Sequence, residues 1–480
     1  MNRDASLQRI VERREPWDLA VVGGGATGVG IAVDAAARGY SVVLLEQSDF
    51  GKGTSSRSTK LVHGGVRYLQ QGNISLVMEA LKERGLLLQN APHLVHDLEF
   101  IVPSYAWWEA PFYGIGLKVY DLLAGKYGFG PSQLLSRDEV LARIPTLSQD
   151  GLRGGVKYHD GQFDDARLLI DLASTAADHG ACLVNYARVS ALVKDSDGFI
   201  TGLIFRDEES GASHTVHARC VINATGPFCD ELRIVDEPGA TPMIAPSQGV
   251  HLVLPREFLP GDTAIMVPHT RDGRVMFAIP WHGRVVVGTT DTPIPTAILE
   301  PTPHEEEIEF ILETASDYLA RRPTRADILS VFTGIRPLVK SSEVSSTAAL
   351  SRDHTIQISS SGLLTIAGGK WTTYRRMAED AVDHAIVLAR LDERPCVTRG
   401  LRIREPHGND VAWHAQHEMA RTVEDVLARR TRLLFLDARA ALAQAPEVAR
   451  QLAHELGRDE SWQETQLANF TETAAHFLLP

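Results

Sequence analysis

Leu19-Ala20-Val21-Val22-Gly23-Gly24-Gly25-Ala26-Thr27-Gly28 opens the folded chain, and its reading decides the fold. A short apolar run is of buried-strand type, covered on both faces. Gly23, Gly25 and Gly28 stand at G-x-G-x-x-G spacing and lead straight into an alanine-rich stretch that predicts a helix to about Arg38. The three glycines serve a tight turn, a close approach of backbone to pyrophosphate, and close packing of helix on strand. Residues 41–46 form a second apolar strand that ends in Glu46, placed to accept a hydrogen bond from a ribose hydroxyl. Strand, glycine turn, helix and strand make a βαβ unit. It predicts an adenine dinucleotide with its phosphates on the helix N-terminus.

Outward from that unit the chain does not continue the βα alternation of a simple nicotinamide dehydrogenase. It enters a Gly/Ser/Thr-rich loop at 50–72 and then long mixed-strand segments, which favours FAD. Ala224-Thr225-Gly226, at the end of a later strand, is similar to the second dinucleotide contact of two-dinucleotide-fold flavoproteins. Short alternating strands between 241 and 290 predict a separate antiparallel sheet, and beyond Pro406 the long segments (420–442, 446–456, 462–478) read as helices.

The whole chain, 480 residues, is long enough for two or three domains. With 44% hydrophobic and 23% charged residues it reads as soluble and globular. Its 48 basic against 61 acidic residues give a net charge of −13, so no basic field exists to hold nucleic acid. The four cysteines show neither C-x-x-C nor Cys/His ligand spacing, which argues against a disulfide scaffold or a metal site and for a reducing compartment. Residues 1–16 are polar and mixed in sign, a disordered lead-in rather than a signal peptide. No apolar run is long enough to span a bilayer, so any membrane contact is peripheral.

The run Thr54-Ser55-Ser56-Arg57-Ser58-Thr59-Lys60-Leu61-Val62-His63-Gly64-Gly65-Val66-Arg67-Tyr68-Leu69 resembles the FAD-dependent glycerol-3-phosphate dehydrogenases. Phe163-Asp164-Asp165-Ala166-Arg167-Leu168, Gly288-Thr289-Thr290-Asp291, Gly334-Ile335-Arg336-Pro337-Leu338 and Gly368-Gly369-Lys370-Trp371-Thr372-Thr373-Tyr374-Arg375 agree with that family in order. The resemblance covers about residues 17–392. It implies an α/β fold of the two-dinucleotide flavoprotein type, with an antiparallel substrate sheet and a C-terminal helical domain. The segmentation is then 17–103, 150–240 and 340–392 for the FAD-binding domain, 104–149 and 241–339 for the substrate domain, and 393–480 for the helical domain. It also implies noncovalent FAD, oxidation of sn-glycerol 3-phosphate to dihydroxyacetone phosphate, a quinone as electron acceptor, peripheral contact at the cytoplasmic face of the membrane, and a homodimer. Two rival readings are an oxidase that uses oxygen and a flavin-binding interaction protein without turnover. Between Leu391 and Ala420 the linker is shorter than the family's usual stretch, so the C-terminal cap reads as abbreviated; the central insertion of the related oxidases is absent.

Oxidising a phosphorylated secondary alcohol requires a hydride acceptor, a route for the hydroxyl proton, and fixed cations. Arg67, with Tyr68 beside it, Arg336 and Arg352 are candidates for the phosphate, since guanidinium forms bidentate, charge-assisted bonds. His63, between glycines and able to titrate near neutral pH, is the candidate proton acceptor; His251 is its rival, with a satisfied core histidine as its plainer reading. Lys370 after its Gly-Gly turn could stabilise negative charge on flavin or substrate. Thr54, Ser55, Ser56, Gly369, Thr372 and Thr373 are assigned to the cofactor, the last two with helix capping as the alternative. The aromatic cluster Trp107, Trp108, Phe112 and Tyr113 reads as core packing, against a hairpin that meets a membrane or quinone, and Arg429, Arg430 and Arg432 read as a solvated helix face.

Overall fold

Trp17–Val22 is a central strand of an eight-stranded sheet, flanked in parallel by Val42–Leu45 on one side and Ser213–Asn223 on the other. The structure, a computed structural model, describes residues 1–66, 69, 73–268, 270, 273–340 and 353–479. Beyond Val42–Leu45 the sheet adds Cys182–Val184; beyond Ser213–Asn223 it adds Leu364–Gly368 and then the antiparallel edge strand His354–Ile358. The helix Ala26–Ala37 packs between Asp165–Asp178 and Tyr374–Leu388, forming one buried core with the strand residues Leu19, Val21, Val42 and Leu44. Those helices cover one face of the sheet, the antiparallel strands Ala187–Lys194 and Ile200–Asp207 pack on the other, and the parallel strands point their C-terminal ends at one crevice.

Among the described residues the second sheet has ten strands, centred on Ile244–Pro255, Arg284–Gly288, Met276–Trp281 and Ala264–Val267. Ser330–Val339 pairs along nearly all of Ile244–Pro255, with Arg336 opposite Ser247. The sheet also takes in Val95–Ser104 and Gly154–Phe163, which the segmentation above assigns to the dinucleotide domain. Ala264–Val267 pairs with Val95–Ser104 in parallel, so this sheet is mixed rather than purely antiparallel. Local alternation cannot say which of two sheets a strand joins.

Three expectations are corrected. Residues 1–16 are not a disordered lead-in: Arg3–Glu12 is a helix capped by Asn2, and buried Arg3 pairs with Asp207 at 2.5 Å. Its composition is polar because it docks through an ion pair and Ile10 rather than through a broad apolar stripe. Residues 420–442 are not one helix: a π-helical turn, Asp425–Arg430, ends before Arg432, which holds left-handed backbone at φ 61°. Ala438–Leu456 then runs unbroken through Pro446. The third correction concerns the arginines of that turn. Arg429 and Arg430 are buried, not solvated, and clamp the fully buried Asp49 from two sides, with Arg429 Nε donating at 2.5 Å and Arg430 Nη2 at 2.9 Å. Arg429 also reaches Glu424 and Asp425, and Lys52 reaches Glu424 at 2.6 Å. The C-terminal helices are thus pinned to the segment that follows Glu46. Burial opposes ionisation of Asp49, but the two guanidiniums outweigh it and hold the carboxyl below its ordinary range.

Candidate active site

The C-terminal ends of Trp17–Val22, Ser213–Asn223 and Leu364–Gly368 open onto a cleft of about 500 Å³. Gly23, Gly25, Ala26, Thr27, Glu46, Thr54, Ser55, Ala224, Thr225, Gly226, Gly369 and Lys370 line it. Gly23 turns the chain at φ 106°, and a Cβ there would stand 2.6 Å from the Ala224 carbonyl oxygen. A Cβ on Gly28 would lie 1.9 Å from the Gly23 oxygen, so this glycine is spent on packing and does not face the cleft. Gly25, the N-cap of Ala26–Ala37, offers no side-chain acceptor, and a Cβ on it would meet only Ser55 Oγ, at 3.1 Å. Ser55 Oγ takes the Ala26 N–H at 2.9 Å. The remaining first-turn N–H groups of an uncapped helix are the donors that a pyrophosphate needs.

Glu46 accepts from Gly24 N–H at 2.6 Å and from Ser48 N–H at 2.8 Å. Each carboxylate oxygen keeps a second lone pair for a ribose hydroxyl. Burial raises the Glu46 pKa, and the two backbone donors counter it only in part. Ser56, by contrast, is buried and donates to the Gly51 carbonyl at 2.8 Å, outside the cleft, so its hydroxyl shapes the loop.

A second cavity of about 230 Å³ adjoins the first, and Thr54, Pro337, Gly368, Gly369, Lys370 and Trp371 line both. Its other walls carry His63, His251, Arg336, Thr59 and Thr372. Arg336 is half-buried on Ser330–Val339, beside Asp291 at 3.4 Å and Thr289 Oγ1 at 3.1 Å. The absence of a side chain on Gly249 makes room for its guanidinium, which a Cβ there would meet at 2.4 Å. Thr54 Oγ1 donates to the Ile335 carbonyl at 2.6 Å, tying the strand of Arg336 to the nucleotide loop. Trp371 Nε1 donates to the Ser55 carbonyl at 2.8 Å, which closes the junction from the other side.

His251 sits on Ile244–Pro255, its ring stacked on Phe332 with centroids 4.8 Å apart. Burial, reinforced by Arg336 and Lys60, pushes its pKa well below the ordinary histidine value, so the imidazole is neutral at pH 7. It lines the cavity although it is almost wholly buried. The His63 backbone N–H donates to Thr372 Oγ1 at 3.2 Å, and Thr373 Oγ1 donates to the Lys370 carbonyl at 3.2 Å. Neither threonine caps the helix that follows; both brace the turns that carry His63 and Lys370. Arg67, Tyr68 and Arg352 lie outside the described residues. Among the described residues no cluster has the makings of a metal site, and the four cysteines are free thiols.

The family model of FAD dependent oxidoreductases matches residues 18–375, and the model of the C-terminal domain of alpha-glycerophosphate oxidase matches residues 384–463. The mitochondrial glycerol-3-phosphate dehydrogenase SDP6 of Arabidopsis thaliana is 40% identical, over 95% of this chain and 86% of its own length. The human mitochondrial glycerol-3-phosphate dehydrogenase is 39% identical, over 99% of this chain and 75% of its own. The chain belongs to the FAD-dependent glycerol-3-phosphate dehydrogenase family. The glycerol-3-phosphate dehydrogenase of Bacillus halodurans, solved with FAD, superposes with a TM-score of 0.82 at 28% identity, covering 99% of this chain and 98% of that one. L-alpha-glycerophosphate oxidase from Mycoplasma pneumoniae shares the fold, with a TM-score of 0.62 at 17% identity.

FAD is the cofactor of this family, and the cleft fits it: a glycine turn without Cβ atoms, an uncapped helix start, an acid at the second strand end, and a far end that runs into a polar cavity. Sequence reasoning passed over Thr59, Lys60 and Asp165 around that cavity, although all three stand in the motifs quoted above. It also passed over Asp49, whose partners lie some 380 residues away.

Proposed function

We propose that the protein oxidises sn-glycerol 3-phosphate at C2 to dihydroxyacetone phosphate and passes the electrons, through FAD, to a membrane quinone. The observation that carries the reading is the junction: Lys370 and Gly369 line both the nucleotide cleft and a second cavity holding Arg336, His63 and His251. When bound, FAD supplies the two-electron acceptor for the carbinol hydrogen. Arg336 binds the phosphate, already oriented by Asp291 and Thr289. Lys370, at the mouth shared by the two cavities, stabilises negative charge that develops there. The neutral imidazole of His251 takes the hydroxyl proton, and His63, held through its backbone by Thr372, shapes the cavity.

The quinone and membrane parts of the reading rest on the segment around Trp107. Instead of a hairpin the chain forms a helix, Glu109–Ala124, that is apolar on two sides. Tyr113, Leu117 and Tyr120 face the core, whereas Trp108, Phe112, Ile115, Val119 and Leu122, spaced by four and three residues, make an exposed stripe. Trp107 is 78% and Leu122 80% exposed, so core packing does not account for the stripe. No helix among the described residues is long and apolar enough to cross a membrane, and such a stripe suits shallow insertion at an interface. We further propose the cytoplasmic face of the membrane as its place; the plant and mammalian relatives are named as mitochondrial, and cell fractionation distinguishes the two.

The oxidase reading uses the same cavity and differs in the final acceptor. Product analysis tests both: one dihydroxyacetone phosphate per quinone reduced is expected, whereas stoichiometric peroxide in air, formed faster than quinone is reduced, assigns the protein to the oxidases. A Trp107→Ser, Trp108→Ser variant should float less with liposomes and reduce quinone more slowly, while reducing a soluble dye as the parent does. A shift in its size-exclusion elution with unchanged flotation would instead make the stripe a homodimer face.

A further inference from the structure

His251 is 2% exposed, so its ring has almost no surface of its own on the cavity. Its Nε2 lies 2.9 Å from Thr59 Oγ1, which among the described residues is the ring's hydrogen-bond partner; Nδ1 is buried without one. Thr59 itself is half-buried and lines the cavity beside Arg336 and His63. The threonine hydroxyl therefore stands between the cavity and the imidazole Nε2.

The turn that presents Thr59 is fixed from behind. Ser58 Oγ donates to Asp165 Oδ2 at 2.7 Å, and Lys60 Nζ donates to both Asp165 oxygens at 2.8 Å and to the Ser56 carbonyl at 2.7 Å. Lys60 is fully buried among the rings of Trp281, Phe332 and Phe435 and holds left-handed backbone at φ 64°, which persists only where the surroundings over-determine it. Such a turn places one hydroxyl and leaves it little freedom to move. The charged groups that face His251 are Arg336 and Lys60, the latter backed by Asp165; His63 and Lys370 share the cavity. A phosphate seated on Arg336 offsets the first of these cations, so substrate binding raises the basicity of His251 when it is needed.

We propose that Thr59 is a catalytic proton relay: the C2 hydroxyl of the substrate gives its proton to Thr59 Oγ1 as the threonine proton passes to His251 Nε2. This rests on the reading that the cavity oxidises glycerol 3-phosphate. The balance closes: the C2–O bond becomes a carbonyl, the C2–H hydrogen leaves with its electron pair to the acceptor that FAD supplies, Thr59 is regenerated, and His251 gains one proton. The relay lets an almost wholly buried imidazole take the substrate's proton through a hydroxyl that faces the cavity.

The test uses the flavin-loaded parent, Thr59→Val and Thr59→Ser. Propyl phosphate, which carries no hydroxyl, should perturb the flavin spectrum of all three with dissociation constants within about twofold, since the relay moves protons and does not hold phosphate. Anaerobic bleaching by glycerol 3-phosphate should slow about 100-fold in Thr59→Val, in kcat rather than KM, and recover to within about threefold of the parent in Thr59→Ser. In the parent alone, bleaching rates in mixtures of light and heavy water should bow with deuterium fraction, as two protons in flight require. A linear dependence overturns the relay, and so does Thr59→Val bleaching at the parent rate. Equal loss of propyl phosphate binding in both variants makes Thr59 structural. A parent that binds propyl phosphate but is not bleached by glycerol 3-phosphate overturns the proposed function itself.

Discussion

The two cavities that meet at Lys370 are built in different ways. The nucleotide cleft is made largely of backbone: glycine turns, a helix N-terminus and strand ends, with Glu46 held at the second strand end and Lys52, Arg188, Glu231 and Lys370 on its walls. The second cavity is made of side chains drawn from four distant segments, the loop before Leu61–Val62 and the strands Ile244–Pro255, Ser330–Val339 and Leu364–Gly368 with its turn. A backbone site tolerates no added atoms but little depends on any one functional group. A side-chain site keeps its shape when one group is removed but loses the chemistry of that group.

Adding one carbon to the backbone site should have the largest effect. Gly28→Ala puts a methyl group 1.9 Å from the Gly23 oxygen, so the glycine turn cannot form, and the variant should be recovered unfolded or without flavin. Gly25→Ala meets only Ser55 Oγ at 3.1 Å and should fold with the parent's circular dichroism while losing flavin on desalting. If both retain flavin at the parent's stoichiometry, the cleft does not hold the dinucleotide as described.

Removing one group from the side-chain site should be milder and selective. Arg336→Met forfeits charged hydrogen bonds worth about 1.5–3 kcal/mol and should lower kcat/KM for glycerol 3-phosphate about 10- to 150-fold, with flavin content unchanged. Glycerol, which has no phosphate, should be a poor substrate for the parent and equally poor for the variant. Equal losses on both substrates would make Arg336 structural and remove the contrast between the cavities.

The seam to the C-terminal helices is also built of side chains, and its response should be the most gradual. Burial opposes ionisation of Glu424 and Asp164, yet Lys52 and Arg429 hold the first at about 2, and Arg432 and His282 hold the second at about 2. Carboxyls depressed in the folded state contribute stability that is present above their ordinary range near 4 and is lost as pH falls toward 2. The C-terminal helices should therefore loosen between about pH 4 and 2, seen as early protease cleavage near residue 430. Resistance that persists to pH 2 would place the seam's stability in its apolar contacts.

The same division decides what was legible in the sequence. Leu19 to Gly28 and Glu46 could be read because a backbone site is written in consecutive residues with a fixed spacing. Arg336, His251 and Lys370 were found as members of motifs, but their convergence on one cavity depends on pairings between strands far apart in sequence, such as His251 with Phe332 and Ile222 with Leu364. Thr59 and Asp165 went unassigned because a hydroxyl or a buried carboxylate has no local signature. Arg429 and Arg430 were read as solvated because a run of like charge carries no sign of the buried Asp49 that it pairs with. Trp107, Trp108 and Phe112 were read as core for a related reason: a helix apolar on two sides gives no periodicity to separate its buried side from its free one.

At the centre of this picture, a flavin in the first cavity is reduced by a phosphorylated alcohol held in the second. The visible spectrum of the purified protein, recorded anaerobically before and after glycerol 3-phosphate is added, tests it most directly. Bleaching of the flavin bands by glycerol 3-phosphate, with no change on adding glycerol at the same concentration, is the predicted result. Flavin bands that stay oxidised in glycerol 3-phosphate, or that bleach equally with glycerol, would contradict it.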